Sequence, residues 1–257
     1  GGGTGNLTYN GVGNTIAGGV QNKIIGTQQC GTGAAQTEQT GAGNGHHLKF
    51  NTIAGGLDNC IFTDEMSNTG HSSNKDTLNR ALTGGQSITI GGGQKNKSSA
   101  DNSTIAGGYG NEISVGGGSF GSIGGGACNA VRTNFSSVFG GYANHIAGET
   151  YATIAGGRAN KIIDCSSGGG TAGSGAFIGG GYSNFIHSNG DACMIGATIG
   201  GGQCNAIRSC VGIGGYIGGG SINGIQCAKH ASVTGGIQNY VIGSTESASI
   251  AGGIANL

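Results

Sequence analysis

Few residues of this sequence have the types and the spacing that catalysis requires. The stretch Gly-Gly-Ser-Phe-Gly, residues 117 to 121, places Ser119 in the G-x-S-x-G pattern of serine hydrolases. A chain with 62 glycines in 257 residues produces such a match by chance, and nothing around Ser119 supplies an acid and a histidine. We predict no catalytic residue and no cofactor, and a hydrolase is the most distant hypothesis.

Histidine and cysteine are the candidate metal ligands. Cys227 begins a Cys-x-x-His stretch that ends at His230. A zinc site needs four ligands that converge in tetrahedral geometry, and ligands stacked on one side of a repeat do not converge in this way. His46, His47 and His71 fall in segments that have the character of surface loops. No metal site is predicted.

Disulfide bonds are a second use for the eight cysteines. Cys193, Cys210 and Cys227 follow one another at intervals of 17 residues, and Cys30 and Cys60 flank a predicted insertion. Both sets are candidates for disulfides, and buried free thiols are the alternative. This cysteine content and four N-x-Ser/Thr sequons favour an extracellular, cell-surface or virion-surface location.

Composition excludes several classes of protein. The formal charge is zero, and there is no basic run to bind nucleic acid. No apolar stretch approaches the roughly 20 residues that span a bilayer. Proline is absent, which excludes collagen, and aliphatic residues recur at fixed places, which argues against a disordered linker.

The chain is built on a short internal repeat, aliphatic-x-Gly-Gly-x-x-Asn. It occurs 12 times, mostly at intervals of 15 to 18 residues. We predict a Gly-rich lead-in over residues 1–13 and one repeat domain over 14–257, with insertions near 27–50, 62–88 and 163–176. The asparagines predicted to stack as a ladder are Asn22, Asn59, Asn111, Asn129, Asn144, Asn160, Asn184, Asn205, Asn223 and Asn239.

The repeat predicts two short strands and two corners. Alternation places Ile154 inward and Thr153 and Ala155 outward. Gly156-Gly157 and Asn160 suit corners, and Ile162 begins a second inward column. The predicted fold is therefore all-β, a parallel β-roll or β-solenoid of about 12 rungs.

Two outward columns are candidate binding surfaces. The first is a flat hydroxyl column that includes Thr15, Thr52, Thr104, Thr153 and Thr198, next to Ala or Gly. A partner protomer or an insertion packed on it is one interpretation, and a regular array that binds ice is another. The second column follows the Gly pair and contains Tyr109, Tyr142, Arg158 and Tyr182, which suit glycan stacking or protein contact.

The interior predicted for each rung is thin. It holds two or three aliphatic residues beside several glycines, and buried area supplies only about 25 cal/mol per Å². The sequence therefore favours an oligomer with a shared core, of which a homotrimer is the form most suited to a fibre.

The repeat resembles the head repeat of trimeric autotransporter adhesins, the YadA-like left-handed β-roll, whose pattern runs Ser-Val-Ala-Ile-Gly-x-x-Ser-x-Ala. Residues 153–162 are similar in register, with Gly157 at the family's Gly and Asn160 at its Ser. Gly156 replaces the family's inward Ile, so the interior is expected to differ. The Gly-rich repeat also resembles parts of phage and large-virus fibres.

The resemblance implies a homotrimeric surface or virion fibre. Its partners would be a glycan or protein receptor, or a neighbouring fibre or capsid component. A non-enzymatic structural or adhesive protein is thus the leading hypothesis, and an ice-binding β-solenoid is the alternative.

Overall fold

The computed structural model describes residues 2–9, 11–25, 48–62, 86–114, 119–148, 150–164, 175–188, 196–209, 214–243 and 247–257. These residues contain strands, bridges and turns but no helix. All strand pairs run parallel, and the chain winds between two long sheets. The predicted all-β parallel β-solenoid is confirmed.

The first sheet is formed by the repeat's Thr-Ile segment and has 12 strands. Strands are numbered in chain order through both sheets. Those of the first sheet are β3 Thr15–Ile16, β6 Thr52–Ile53, β8 Thr89–Ile90, β10 Thr104–Ile105, β12 Ser122–Ile123, β14 Ser137–Val138, β16 Thr153–Ile154, β18 Phe177–Ile178, β20 Thr198–Ile199, β22 Tyr216–Ile217, β24 Ser232–Val233 and β26 Ser249–Ile250.

The second sheet follows the repeat's asparagine and also has 12 strands. They are β1 Leu7–Tyr9, β4 Lys23–Ile25, β7 Cys60–Phe62, β9 Lys97–Ser98, β11 Glu112–Ile113, β13 Ala130–Arg132, β15 His145–Ala147, β17 Lys161–Asp164, β19 Phe185–Ser188, β21 Ala206–Ser209, β23 Gly224–Gln226 and β25 Tyr240–Ile242. A separate pair consists of β2 Gly11–Val12 and β5 Leu48–Lys49.

A third line of parallel pairing lies where the sequence predicts only a corner. One residue after each Gly pair forms an isolated bridge to its counterparts in adjacent rungs, as Arg158 does with Tyr142 and Tyr182. Arg158 N donates to Gly181 O at 2.8 Å, and Ser183 N donates to Arg158 O at 2.9 Å. We call this line, from Thr4 to Ile254, the single-residue ladder.

The hydrophobic core is complete within one chain. Ile154 of the first sheet and Ile162 of the second are fully buried, which confirms the inward side of the alternation. A third interior column holds mostly small residues such as Ser136 and Ala152, which are buried beside the two aliphatic columns. The core residues are therefore buried without a contribution from a second chain, and the oligomer predicted from the thin core stays a prediction.

The predicted domain boundaries meet the structure only in part. β1 pairs with β4, so the second sheet already includes residues of the lead-in at 1–13. Most of the insertions predicted near 27–50, 62–88 and 163–176 lies outside the described residues, which include only 48–50, 62, 86–88, 163–164 and 175–176 of them.

Candidate functional site

The repeated asparagine forms a buried hydrogen-bonded ladder. Asn160 Nδ2 donates to Gly156 O in its own rung at 2.9 Å and to Gly181 O in the next at 3.1 Å. Its Oδ1 accepts from the backbone N of Asn184 at 2.9 Å, and its own N donates to Asn144 Oδ1 at 3.0 Å. The same pattern includes Asn6, Asn96 and Asn256, which extend the predicted set.

The two glycines of the pair have different roles. Gly157 has φ +87°, and a Cβ there would overlap the carbonyl oxygen of Gly181 and lie 2.7 Å from Asn160 Nδ2. A Cβ at Gly156 would meet nothing within 4 Å. Gly156 is also half-buried and does not replace an interior side chain. In this rung only the second glycine is required by the backbone, whereas the first glycine also has positive φ in four other pairs, at Gly92, Gly125, Gly180 and Gly252.

The outer surface of the first sheet carries no charge at either outward column. The residue before the buried aliphatic is Thr or Ser in ten of the 12 strands, and the residue after it is mostly Ala or Gly. Thr15, Thr52, Thr104, Thr153 and Thr198 all lie there, in register between neighbouring strands. Three rings interrupt this flat strip: Phe139, Phe177 and Tyr216.

Charge is instead placed on the second sheet. Its outward residues include Lys23, Lys97, Glu112, Arg132, Lys161 and Arg208. Arg132 Nη2 lies 3.9 Å from Glu112 Oε1, and both side chains are about half exposed, so this pair adds little stability. The charged sheet has the character of a solvated face. The first sheet, by contrast, is the candidate contact surface.

The single-residue ladder brings the predicted Tyr and Arg residues together. The Arg158 guanidinium lies over the rings of Tyr142 and Tyr182, with Cζ 5.5 and 5.7 Å from their centroids. Lys95 Nζ lies 5.8 Å from the centroid of Tyr109. All three tyrosines are between 45% and 50% exposed. Each of these tyrosine rings therefore has a cation of a neighbouring rung beside it.

A stack of three aromatic rings was missed by the sequence reasoning. Phe120, Phe135 and Tyr151 each lie three residues before a buried aliphatic, and their centroids are 5.0 Å apart with nearly parallel planes. All three have positive φ, between 51° and 68°, which is unusual for bulky residues. Their 15- and 16-residue spacing was the available signal. We call this stack, beside the first sheet, the aromatic corner.

The cysteines divide into bonded and free groups. Cys60 and Cys227 are disulfide-bonded, so Cys227 is not a thiolate ligand beside His230. Cys128 and Cys204 are free and exposed, each one residue after the single-residue ladder. The remaining predicted disulfide residues, Cys30, Cys193 and Cys210, lie outside the described residues, as do His46, His47 and His71.

The residues singled out for chemistry are dispersed. Ser119 pairs through its backbone with Asp101, whose carboxylate accepts a hydrogen bond from Gln86 N at 2.8 Å and so supports the corner. In the part of the chain that the structure describes, no three His, Cys, Asp or Glu residues are grouped so as to hold a metal ion.

His145 is a titratable group in a partly buried position on the second sheet. Burial, followed by the charges of Arg132 and Lys161, lowers its pKa below 6.5, against a smaller opposing effect of Glu112. Its Nε2 is buried and has no hydrogen-bond partner among the residues that the structure describes.

The lowered pKa of His145 predicts weaker folding in acid. The unfolded chain takes up a proton near pH 6.5 and the folded chain only at lower pH, so stability falls as the pH drops from 7 through 6.5. Urea denaturation at pH 7.5 and pH 5 measures this loss. His145→Gln is expected to reduce it, and an unchanged pH dependence in that variant would exclude His145 as the cause.

Comparison with known proteins does not assign the chain to a family. No protein-family model matches the chain, and no curated protein matches it. Among the described residues, no helix has the length and apolar character needed to cross a membrane.

Proposed function

We propose that this protein is a non-enzymatic structural and adhesive rod. In this proposal about 12 rungs form each chain, and three chains form part of an extracellular, cell-surface or virion fibre. The observation that carries it is the uncharged first-sheet surface on a solenoid whose second sheet is charged. An exposed strip without Lys, Glu or Asp is typical of a surface that is covered by a partner.

The size of this strip supports a second copy as its occupant. Twelve strands about 4.8 Å apart extend about 53 Å. The strip from the Thr column to the Gly pair is about 13 to 16 Å wide at 3.3 Å per residue. Its area of roughly 700 to 850 Å² is close to the 800 Å² that each partner contributes to a standard interface.

A closed trimer needs two different contact surfaces on each chain. The aromatic corner supports this assembly because it adjoins the first sheet and exposes half of each ring. We propose that the aromatic corner of one chain packs on the first sheet of the next. The tyrosines of the single-residue ladder then remain outside, where they can contact a glycan or protein receptor.

Sedimentation equilibrium tests this assembly. The wild-type chain is expected to have three times the mass of the 24.8 kDa monomer. Ala106→Glu places a carboxylate on the exposed first-sheet surface and is expected to give monomers, since burying an unpaired charge is costly. Ala206→Glu on the second sheet is the matched control and should remain trimeric. A monomeric wild type, or dissociation of both variants alike, would contradict the proposal.

Ice binding is the second candidate, and one observation favours it. Thr15, Thr52, Thr89 and Thr104 lie in direct register on four successive strands. Beyond these strands the strip is less regular, because Phe139, Phe177 and Tyr216 project from the same surface. We expect no thermal hysteresis; a monomer with hysteresis that Thr104→Arg removes would favour ice binding.

A further inference from the structure

Tyr109, Ala127 and Tyr142 occupy three successive positions of the single-residue ladder. The two tyrosines are 45% and 50% exposed. They are two rungs apart, which corresponds to about 9.6 Å along the solenoid. Ala127 has only a methyl group to place between them. We call the space over Ala127, between the two rings, the tyrosine slot.

The next part of the single-residue ladder contains a similar space between two tyrosines, and there it is filled. Tyr142 and Tyr182 are also two rungs apart, and Arg158 takes the position between them. Its guanidinium lies between the two rings, 5.5 Å from one centroid and 5.7 Å from the other. A gap of two rungs between tyrosines on this ladder therefore accepts one guanidinium group.

The cations that contact the slot's two rings approach from outside it. Lys95 reaches Tyr109 from the preceding rung, and Arg158 reaches Tyr142 from the following one. Ala127 lies on the other side of each ring along the ladder, and no cation–π contact between described residues involves the position of Ala127. The face of an aromatic ring presents the negative side of its quadrupole.

We propose that the tyrosine slot binds the guanidinium group of an arginine side chain on a partner protein. The side chain enters between Tyr109 and Tyr142 and occupies the place over Ala127 that Arg158 has in the following gap. A planar cation fits the gap and attracts both ring faces, whereas a neutral isostere has no such attraction. This site lies on a different line of the solenoid from the first-sheet contact surface.

Two free thiols allow the slot to be tested directly. Cys128 follows Ala127 at the slot, and Cys204 occupies the same position after Gln203, one rung beyond Tyr182. The probe is N-acetylarginine amide, with N-acetylcitrulline amide as its neutral isostere and tetramethylammonium as a cation of another shape. The chain has no Trp, so tyrosine fluorescence reports binding.

The arginine probe is expected to quench tyrosine fluorescence and to slow the reaction of Cys128, but not Cys204, with a thiol reagent. Two exposed cation–π contacts predict that arginine binds about 5- to 30-fold more tightly than citrulline. Equal binding of citrulline, or equal protection by tetramethylammonium, would overturn a guanidinium site. The latter result would favour a quaternary ammonium ligand such as a choline headgroup.

Variants at Ala127 and Arg158 distinguish loss of the binding site from loss of folding. Ala127→Arg fills the slot and should abolish protection of Cys128; the ladder already accepts Arg158, so the fold tolerates this change. Adding Arg158→Ala to it opens the following gap, and fluorescence quenching should return without protection of Cys128. Protection of Cys128 in Ala127→Arg would refute the slot. The Ala106→Glu variant should bind the arginine probe as the wild type does. The arginine site is therefore tested independently of the proposed trimer.

Discussion

Gly157→Ala is expected to lower the free energy of unfolding by about 3 to 5 kcal/mol. The added methyl group forces a left-handed φ on an L-residue, and it overlaps the carbonyl oxygen of Gly181 in the adjacent rung. That oxygen accepts hydrogen bonds from Arg158 N and Asn160 Nδ2, so both bonds are displaced together. Chemical denaturation followed by circular dichroism measures the change.

The neighbouring glycine is a matched control for this substitution. Gly156→Ala adds the same methyl group one residue earlier, where nothing lies within 4 Å and φ is not positive. Its effect on the free energy of unfolding is expected to remain within about 1 kcal/mol, because alanine also restricts the unfolded chain and so offsets part of any loss. Equal losses in the two variants would show that the pair is required as a unit and not through the contacts of Gly157.

Asn160→Ala is expected to destabilise the fold by a similar amount, about 3 to 5 kcal/mol. The amide is fully buried and joins three rungs, and its removal leaves Asn184 N without an acceptor and Gly156 O without its donor. Each buried group left unsatisfied costs about 1 to 3 kcal/mol. Because rungs are stabilised by their neighbours, the loss is expected to lower the cooperativity of unfolding as well.

Asn256→Ala provides the comparison for Asn160→Ala. Asn256 Nδ2 donates to Gly252 O, as Asn160 Nδ2 does to Gly156 O, and it also donates to Asn239 Oδ1, but Asn256 is exposed. Water replaces the lost bonds there, so the expected cost is about 1 kcal/mol or less. If the two variants lose equal stability, burial of the ladder is not the source of its strength.

The architecture was predictable because it follows from side-chain alternation and from a motif that repeats at a constant offset. Alternation identified the inward Ile154 and Ile162, and a Gly-Gly-x-x-Asn stretch at a constant offset predicted stacked corners. A parallel solenoid places equivalent residues of successive rungs beside one another, so an alignment of the sequence with itself is also a map of its columns. This is why the asparagine, threonine and tyrosine columns were all predicted by residue number.

Contacts across the solenoid were not predictable in the same way. The sequence treats Gly156 and Gly157 as equivalent, and only the position of the Gly181 carbonyl distinguishes them. The aromatic corner was not predicted because most other rungs have Gly, Ser or Asn three residues before the buried aliphatic residue. The three residues form one surface only because their ring centroids lie 5.0 Å apart in successive rungs.

The sequence by itself determined the repeat, its strands and its ladder, because these depend on backbone conformation and on side-chain alternation within one rung. The tertiary structure decided that a single chain closes its own core, since this depends on how two aliphatic columns and a column of small residues fill the cross-section. It also decided that the outward columns of the first sheet carry no charge while the second sheet does, and that tyrosines and cations meet on the single-residue ladder. These arrangements arise only when the rungs are stacked, and they define both proposed binding surfaces.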